Sequence, residues 1–184
     1  MIYLDHLTTT PPLTEVVDAM QPWLRGQFGA PASLHKLGLE ARDAIDAARE
    51  RLAKLVNAAE PEEIIFTSSG TEAINHAVKG AALANRRFGS HIVTTGIEHP
   101  AVLGSVAWLE SQGFSSTRVG VDGHGRVDPD AIGRAMNDET ILVCLHHANL
   151  DLGTVQPVAE VAELTGVMLS TESLIQAASA GEAA

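Results

Sequence analysis

The turn Ser68-Ser69-Gly70-Thr71-Glu72 joins a β-rich run to a helical one. A helix N-terminus offers unpaired N–H groups and a partial positive charge, and small residues let an anion approach the backbone. The hydroxyls of Ser69 and Thr71 add donors, so the segment suits a phosphate group; it suits a plain Ser/Thr helix cap equally well. His99, in Gly96-Ile97-Glu98-His99-Pro100, follows another β-rich run. That is the zone outside the carboxyl ends of strands where α/β sheets place ligands. Its imidazole could stack on a flat cofactor or carry a proton, or it could serve only as a surface or capping histidine. Glu98 beside it could equally be a solvated charge.

His146-His147-Ala148-Asn149 closes a third apolar run. Adjacent histidines on a strand point to opposite faces, which makes them a poor metal pair. No other His, Cys, Asp or Glu cluster has metal-ligand spacing. Cys144 lies inside the apolar run and is expected to be a buried, inert thiol, because a reactive cysteine needs exposure and an electropositive setting. Ser/His/Asp hydrolysis has no nucleophile-elbow motif here.

The elements that must position these residues alternate between short β-rich runs and helical segments, the pattern of an α/β protein with a largely parallel sheet. From Lys36 to Asn57, Leu37, Ala41, Ala44, Ile45, Ala48, Leu52, Leu55 and Val56 recur at helical spacing against polar Arg42, Asp43, Asp46, Arg49 and Glu50. An amphipathic helix of about five to six turns is expected there. Glu63 to Thr67 reads as a strand. A helix follows with Ala73, Ile74, Ala77, Val78 and Ala81 inward, ending near Phe88-Gly89. His91 to Thr95 reads as a buried strand, and Pro100 sits in the first turn of the next helix. Further on come a strand near Ser116 to Val121, the turn Asp122-Gly123-His124-Gly125, and a helix from the cap Asp128 and Pro129 to about Met136. Thr140 to Leu145 is the most apolar strand and is expected inside the sheet. A helix from Val158 to Thr165, a strand at Val167 to Leu169 and a frayed tail after Gln176 complete the series. No repeat or linker divides the chain.

Composition narrows the function classes. With 45% hydrophobic and 19% charged residues, the 184-residue chain is expected to fold around a real core. A formal net charge of −11 and scattered basic residues argue against nucleic-acid binding. No stretch approaches the roughly 20 apolar residues of a membrane span. The start, MIYLDHLTTTPP, lacks the basic and apolar regions of a signal peptide, and Cys144 is the single cysteine; the cytoplasm is the expected location.

Five blocks in register resemble the cysteine desulfurases, NifS- and IscS-like enzymes of the class V aminotransferase group that depend on pyridoxal phosphate (PLP). Tyr3-Leu4-Asp5-His6-Leu7-Thr8-Thr9-Thr10-Pro11 is similar to their opening motif. Gly29-Ala30-Pro31-Ala32-Ser33 with His35 and Gly38 resembles their Gly-Asn-Pro-Ala-Ser segment. Phe66 to Ala73 with Asn75 resembles their phosphate-binding turn, and Glu98-His99 with Ala101-Val102-Leu103 the segment of the ring-stacking histidine. Gly153-Thr154-Val155-Gln156-Pro157 matches a further block. The resemblance implies a fold-type I PLP-transferase large domain, truncated here, with a mainly parallel sheet between helices and a dimeric assembly. It divides the chain into an arm and first helix (1–35), an α/β body (36–176) and a tail (177–184), all within one incomplete domain. It also implies that Gly70 and Thr71 hold the cofactor phosphate, that His99 stacks on the ring, and that Glu172 faces the pyridinium nitrogen.

Several positions depart from the family pattern. Leu150 aligns with an asparagine that contacts the ring hydroxyl, with Asn149 one residue early. Glu172 stands for an aspartate, and Ile175 for a glutamine, with Gln176 adjacent. The Schiff-base lysine and the sulfur-accepting cysteine of the family align beyond residue 184. Of the three lysines, Lys36 and Lys54 fall on the long amphipathic helix and Lys79 where the family has a structural lysine. The expectation is a desulfurase-like, non-catalytic partner or regulatory subunit in sulfur or iron–sulfur metabolism, paired with a desulfurase or a complementary C-terminal half. The alternative is one subunit of a split desulfurase whose partner chain supplies the lysine and cysteine.

Overall fold

A parallel sheet is built here from strands whose alternate residues face two different helical layers. The computed structural model describes residues 2, 3, 6, 9–165 and 169–170. They fall into two compact units, up to Phe66 and from Thr67 onward.

In the first unit, α1 (Thr14–Arg25) and α2 (Lys36–Val56) are the main elements. Helix α2 spans the residues that its periodicity predicts. Nδ1 of His35 accepts the Gly38 N–H at its start, and Asn57 ends it in the left-handed conformation. Gly38 has no room for a side chain, since a Cβ would lie 2.3 Å from the Ser33 carbonyl oxygen. A small core joins Leu52 and Ala53 of α2 to Ile64.

The strand expected at Glu63 to Thr67 does not form. Pro61–Glu63 makes one 3-10 turn, and residues 64–67 have no regular structure. The reason is pairing. A strand exists only as part of a ladder, and among the described residues none lies beside this segment. Arg49 instead donates to the Ile64 carbonyl at 3.3 Å, its guanidinium 5.4 Å from the Phe66 ring centroid. Ile65 and Phe66 remain exposed.

The second unit runs α3 (Gly70–Asn85), β1 (His91–Thr95), α4 (Pro100–Ser111), β2 (Ser115–Val119), α5 (Pro129–Ala135), β3 (Thr140–Leu145), α6 (Val158–Thr165) and β4 (Leu169–Ser170). The four described strands pair in parallel, in the order β2-β1-β3-β4, with Ile92 opposite Leu142 on one side and Ser116 on the other. As expected, β3 is interior and Pro100 and Pro129 occupy first turns. Asp128 caps α5 by accepting the Asp130 N–H at 3.1 Å. Helix α3 ends three residues earlier than Phe88, and Ala82 is its buried alanine, while Ala77 and Ala81 are only half-buried. The strand expected at Val167 to Leu169 coincides with β4 at Leu169; Val167 lies outside the described residues.

Ile92, Leu142 and Cys144 face α3 and α4, where they pack with Ile74, Val78, Val102, Val106 and Leu109. Val93, Val143 and Leu145 face α5 and α6, against Ile132 and Val161. Burial on both faces is why β3 reads as a nearly continuous apolar run, while β2, at the sheet edge, is largely polar and partly exposed. Topology then fixes where the chemistry can sit. Helix α3 leads through a short turn into β1, so its N-terminus lies at the carboxyl edge of the sheet. Helix α4 starts directly after β1, at that same edge.

Candidate functional site

At the start of α3, Ser69 is the N-cap, and its Oγ accepts the Glu72 N–H at 3.2 Å. The Glu72 carboxylate reaches back to accept the Ser68 N–H at 2.7 Å and the Ser68 hydroxyl at 2.6 Å. This reciprocal arrangement is a variant of the capping box. The Ser68 hydroxyl first, and its N–H second, hold the Glu72 carboxyl below its ordinary value. The capping reading of Ser69 is therefore realised. It leaves the N–H groups of Gly70 and Thr71, the first of the helix, without intrahelical acceptors. A Cβ on Gly70 would meet nothing within 4 Å, so the turn opens onto free space.

His99 is the N-cap of α4, and its Nδ1 accepts the Ala101 N–H at 3.1 Å. Capping uses the in-plane lone pair of Nδ1 and leaves the ring faces uncommitted. The ring is half-buried.

Glu98 is not a solvated charge. It is 4% exposed, with Oε1 accepting the Thr95 hydroxyl at 2.7 Å and Oε2 accepting the His146 backbone N–H at 3.0 Å. Nδ1 of His146 lies 3.0 Å from Oε1. That contact is short but poorly aligned, and neither ring nitrogen of His146 has a well-directed partner. A lone pair on Nδ1 facing the carboxylate would be repelled, so the Nδ1–H tautomer is favoured.

Asn149 is held in place by its own bonds as well. Its amide donates to the Ile97 carbonyl at 3.0 Å, and its oxygen accepts the N–H groups of Asp151 and Leu152 at 3.0 and 2.8 Å. One amide hydrogen and the oxygen thus tie its side chain into the turn, away from the position of Leu150, whose apolar side chain is 52% exposed. Glu172 and Ile175 lie outside the described residues.

The expectation for Cys144 holds. It is 2% exposed, and burial first, with the Glu98 charge second, pushes its thiol up to about 12. Among the described residues, no group of His, Cys, Asp and Glu side chains could hold a metal ion, and no helix is long and apolar enough to cross a membrane. Gly70, Thr71 and His99 thus share the carboxyl edge of one sheet. Sequence reasoning missed the partners of Glu98, because Thr95 and His146 carry no local signal for that role.

Known proteins share this fold. The chain is 47% identical over 163 residues to the cysteine desulfurase IscS of Methanosarcina thermophila, covering 89% of this chain and 40% of that protein. It is 48% identical to the putative cysteine desulfurase IscS 1 of Bacillus subtilis, covering 43% of it. The chain thus spans well under half the length of these curated relatives. A solved NifS-like protein superposes with a TM-score of 0.84 at 34% identity, over 92% of this chain and 47% of that one. SspA in complex with cysteine superposes at 0.85 with 29% identity, over 95% and 55%. The α/β architecture with its parallel sheet is therefore that of the cysteine desulfurases. The profile of the class-V aminotransferases matches residues 2–169, and the chain belongs to that family, within it resembling the cysteine desulfurases.

Proposed function

We propose that the α3 N-terminus and His99 are the phosphate and ring-face side of a desulfurase-type PLP site, in residues that do not themselves carry the reaction. When bound, PLP supplies an electron sink for bonds to the carbon bearing an amino group. Its phosphate end fits the residues present. The open turn at Gly70, the hydroxyl of Thr71 and the positive end of α3 suit a dianion. The ring end fits less well, because the Leu150 side chain has no hydrogen to donate and Asn149 is tied into the turn by its own bonds. Glu172 would complete the pyridinium contact.

The observation that carries the non-catalytic reading is the placement of the amines. Lys79 holds its Nζ 4.8 Å from the Trp108 ring centroid. Lys36 pairs with Glu40, and Lys54 is exposed in the last turn of α2. None of the three is built as a cofactor anchor. We therefore read these residues as a partner or regulatory module of sulfur or iron–sulfur metabolism, acting in the cytoplasm within a homo- or hetero-oligomer.

A second reading, a split desulfurase completed by another polypeptide, is favoured by residues 64–67. They carry no regular structure and leave apolar Ile65 and Phe66 exposed, as a strand segment without its neighbour would. Absorbance separates the two. The purified chain mixed with PLP should show no protein-bound band at about 420 nm after gel filtration, the region of lysine-bound PLP. A band with the chain alone overturns the non-catalytic reading. A band only after co-purification with a partner establishes the split enzyme.

A further inference from the structure

Glu98 has an arrangement that its surface neighbours lack. Its carboxylate is buried at the carboxyl edge of the sheet and accepts hydrogen bonds from two places, the Thr95 hydroxyl within its own turn and the backbone N–H of His146 after β3. The His146 imidazole stands against the same oxygen that Thr95 donates to, 3.0 Å away. A second tie joins the same two segments, from the Asn149 amide to the Ile97 carbonyl. The turn of residues 96–99 between β1 and α4 is therefore fastened to the segment after β3 at two consecutive residues, 97 and 98. His99 is the next residue along.

We propose that Glu98 is a positioning residue for His99. The buried carboxylate fixes the turn, and the fixed turn sets the backbone from which the His99 ring caps α4 and presents its faces. His146 is the second part of the device. It provides the N–H that Oε2 accepts, and its imidazole, favoured as the Nδ1–H tautomer, places positive dipole against Oε1. A buried carboxylate without such donors would be expelled to solvent and would take the turn with it. This inference rests on the reading of His99 as a ring-face residue only for its functional meaning; the mechanical coupling stands without it.

The test uses the whole 184-residue chain, isotopically labelled, with the imidazole nitrogens and backbone amides followed by NMR. In the unaltered protein, Nδ1 of His99 should report as an acceptor and the Ala101 amide should be protected from exchange. Glu98→Gln retains the shape but replaces one acceptor oxygen by a donor. It should shift the His99 ring signals and speed Ala101 exchange roughly five- to tenfold, the scale of a lost helix cap. His91, at the opposite edge of the sheet, is the control and should not move. If Glu98→Gln unfolds the chain, Thr95→Val removes one donor and keeps the charge, and should shift His99 in the same direction by less. Unchanged His99 and Ala101 signals in a folded variant overturn the proposal. So does a variant in which His91 moves as much as His99, since that is general loosening. Inorganic phosphate, titrated separately against the Gly70 and Thr71 amides, should saturate alike in both proteins. Silence of those amides in the unaltered chain refutes the phosphate site and leaves the His99 result to stand or fall by itself.

Discussion

The side-chain amide of Gln156 clips the turn before Val127: its oxygen accepts the Val127 N–H at 2.9 Å, and its nitrogen donates to the Gly125 carbonyl at 2.7 Å. Gln156 is 3% exposed, so neither backbone group has water as a ready alternative. Beside it, the Thr154 hydroxyl donates to the His124 carbonyl at 2.6 Å, and the Gln156 N–H donates to the carbonyl of His147. The segment that carries Asn149 and Leu150 is thereby held to the turn at 122–127.

Gln156→Ala should accordingly lower stability by about 2 kcal/mol or more, since two buried backbone groups lose their partners together. Thermal or urea unfolding measures it, and a loss within about 0.5 kcal/mol would show that water replaces the amide. Gln156→Glu sets a carboxylate against the Gly125 carbonyl, so that variant should gain stability as the pH falls and the new carboxyl becomes a donor.

His91 bridges three strands, with Nδ1 2.7 Å from the Thr140 hydroxyl and Nε2 2.9 Å from that of Thr117. Burial lowers its pKa below the ordinary 6.5. The unfolded chain therefore takes up a proton before the folded one does. Stability should be indifferent to this group above pH 6.5, fall as the pH drops through that value, and level off once folded His91 is also charged. His91→Gln should remove that slope in a series of unfolding curves. A slope that survives the substitution belongs to other groups.

The Cys144 thiol, pushed up to about 12 by burial and the Glu98 charge, should resist alkylation at pH 8 in the native protein. It should react at the ordinary thiol rate in urea. The same shift makes the folded state less stable as pH rises above the usual thiol value of 9.0, because only the unfolded chain then ionises. Rapid labelling without denaturant would contradict the burial.

Local chemistry is what a sequence displays, and the elements governed by it were legible. The periodicity of α2, the prolines opening α4 and α5, the Asp128 cap and the apolar run of β3 need only neighbours within a turn or two. The Gly70-Thr71 turn and His99 were visible for the same reason. Residues 64–67 were not, because their apolar pattern specifies a strand only where another strand lies alongside. Glu98 was ambiguous because burial of a carboxylate is decided by its partners, and His146 lies 48 residues away. Asn149 showed in the sequence only as the residue before Leu150; its bonds to Ile97, Asp151 and Leu152, which hold the turn, depend on the folded backbone.

Leu150 is where the proposed site can be repaired, and repair is a sharper test than damage. The side chain is 52% exposed, and a surface leucine of this kind contributes little to the core, so Leu150→Asn should change stability by less than about 0.5 kcal/mol. The neighbouring Asn149 already holds the turn with its own amide, which leaves the new amide free to donate outward. If the ring of a bound cofactor lies along this edge, the added hydrogen bond should tighten binding of pyridoxamine phosphate about five- to tenfold, near 1 kcal/mol. Binding of inorganic phosphate should stay unchanged, since it touches only the start of α3. Equal affinities of the two proteins for pyridoxamine phosphate, measured by calorimetry, would mean that the ring does not reach residue 150 and that the phosphate turn acts without it.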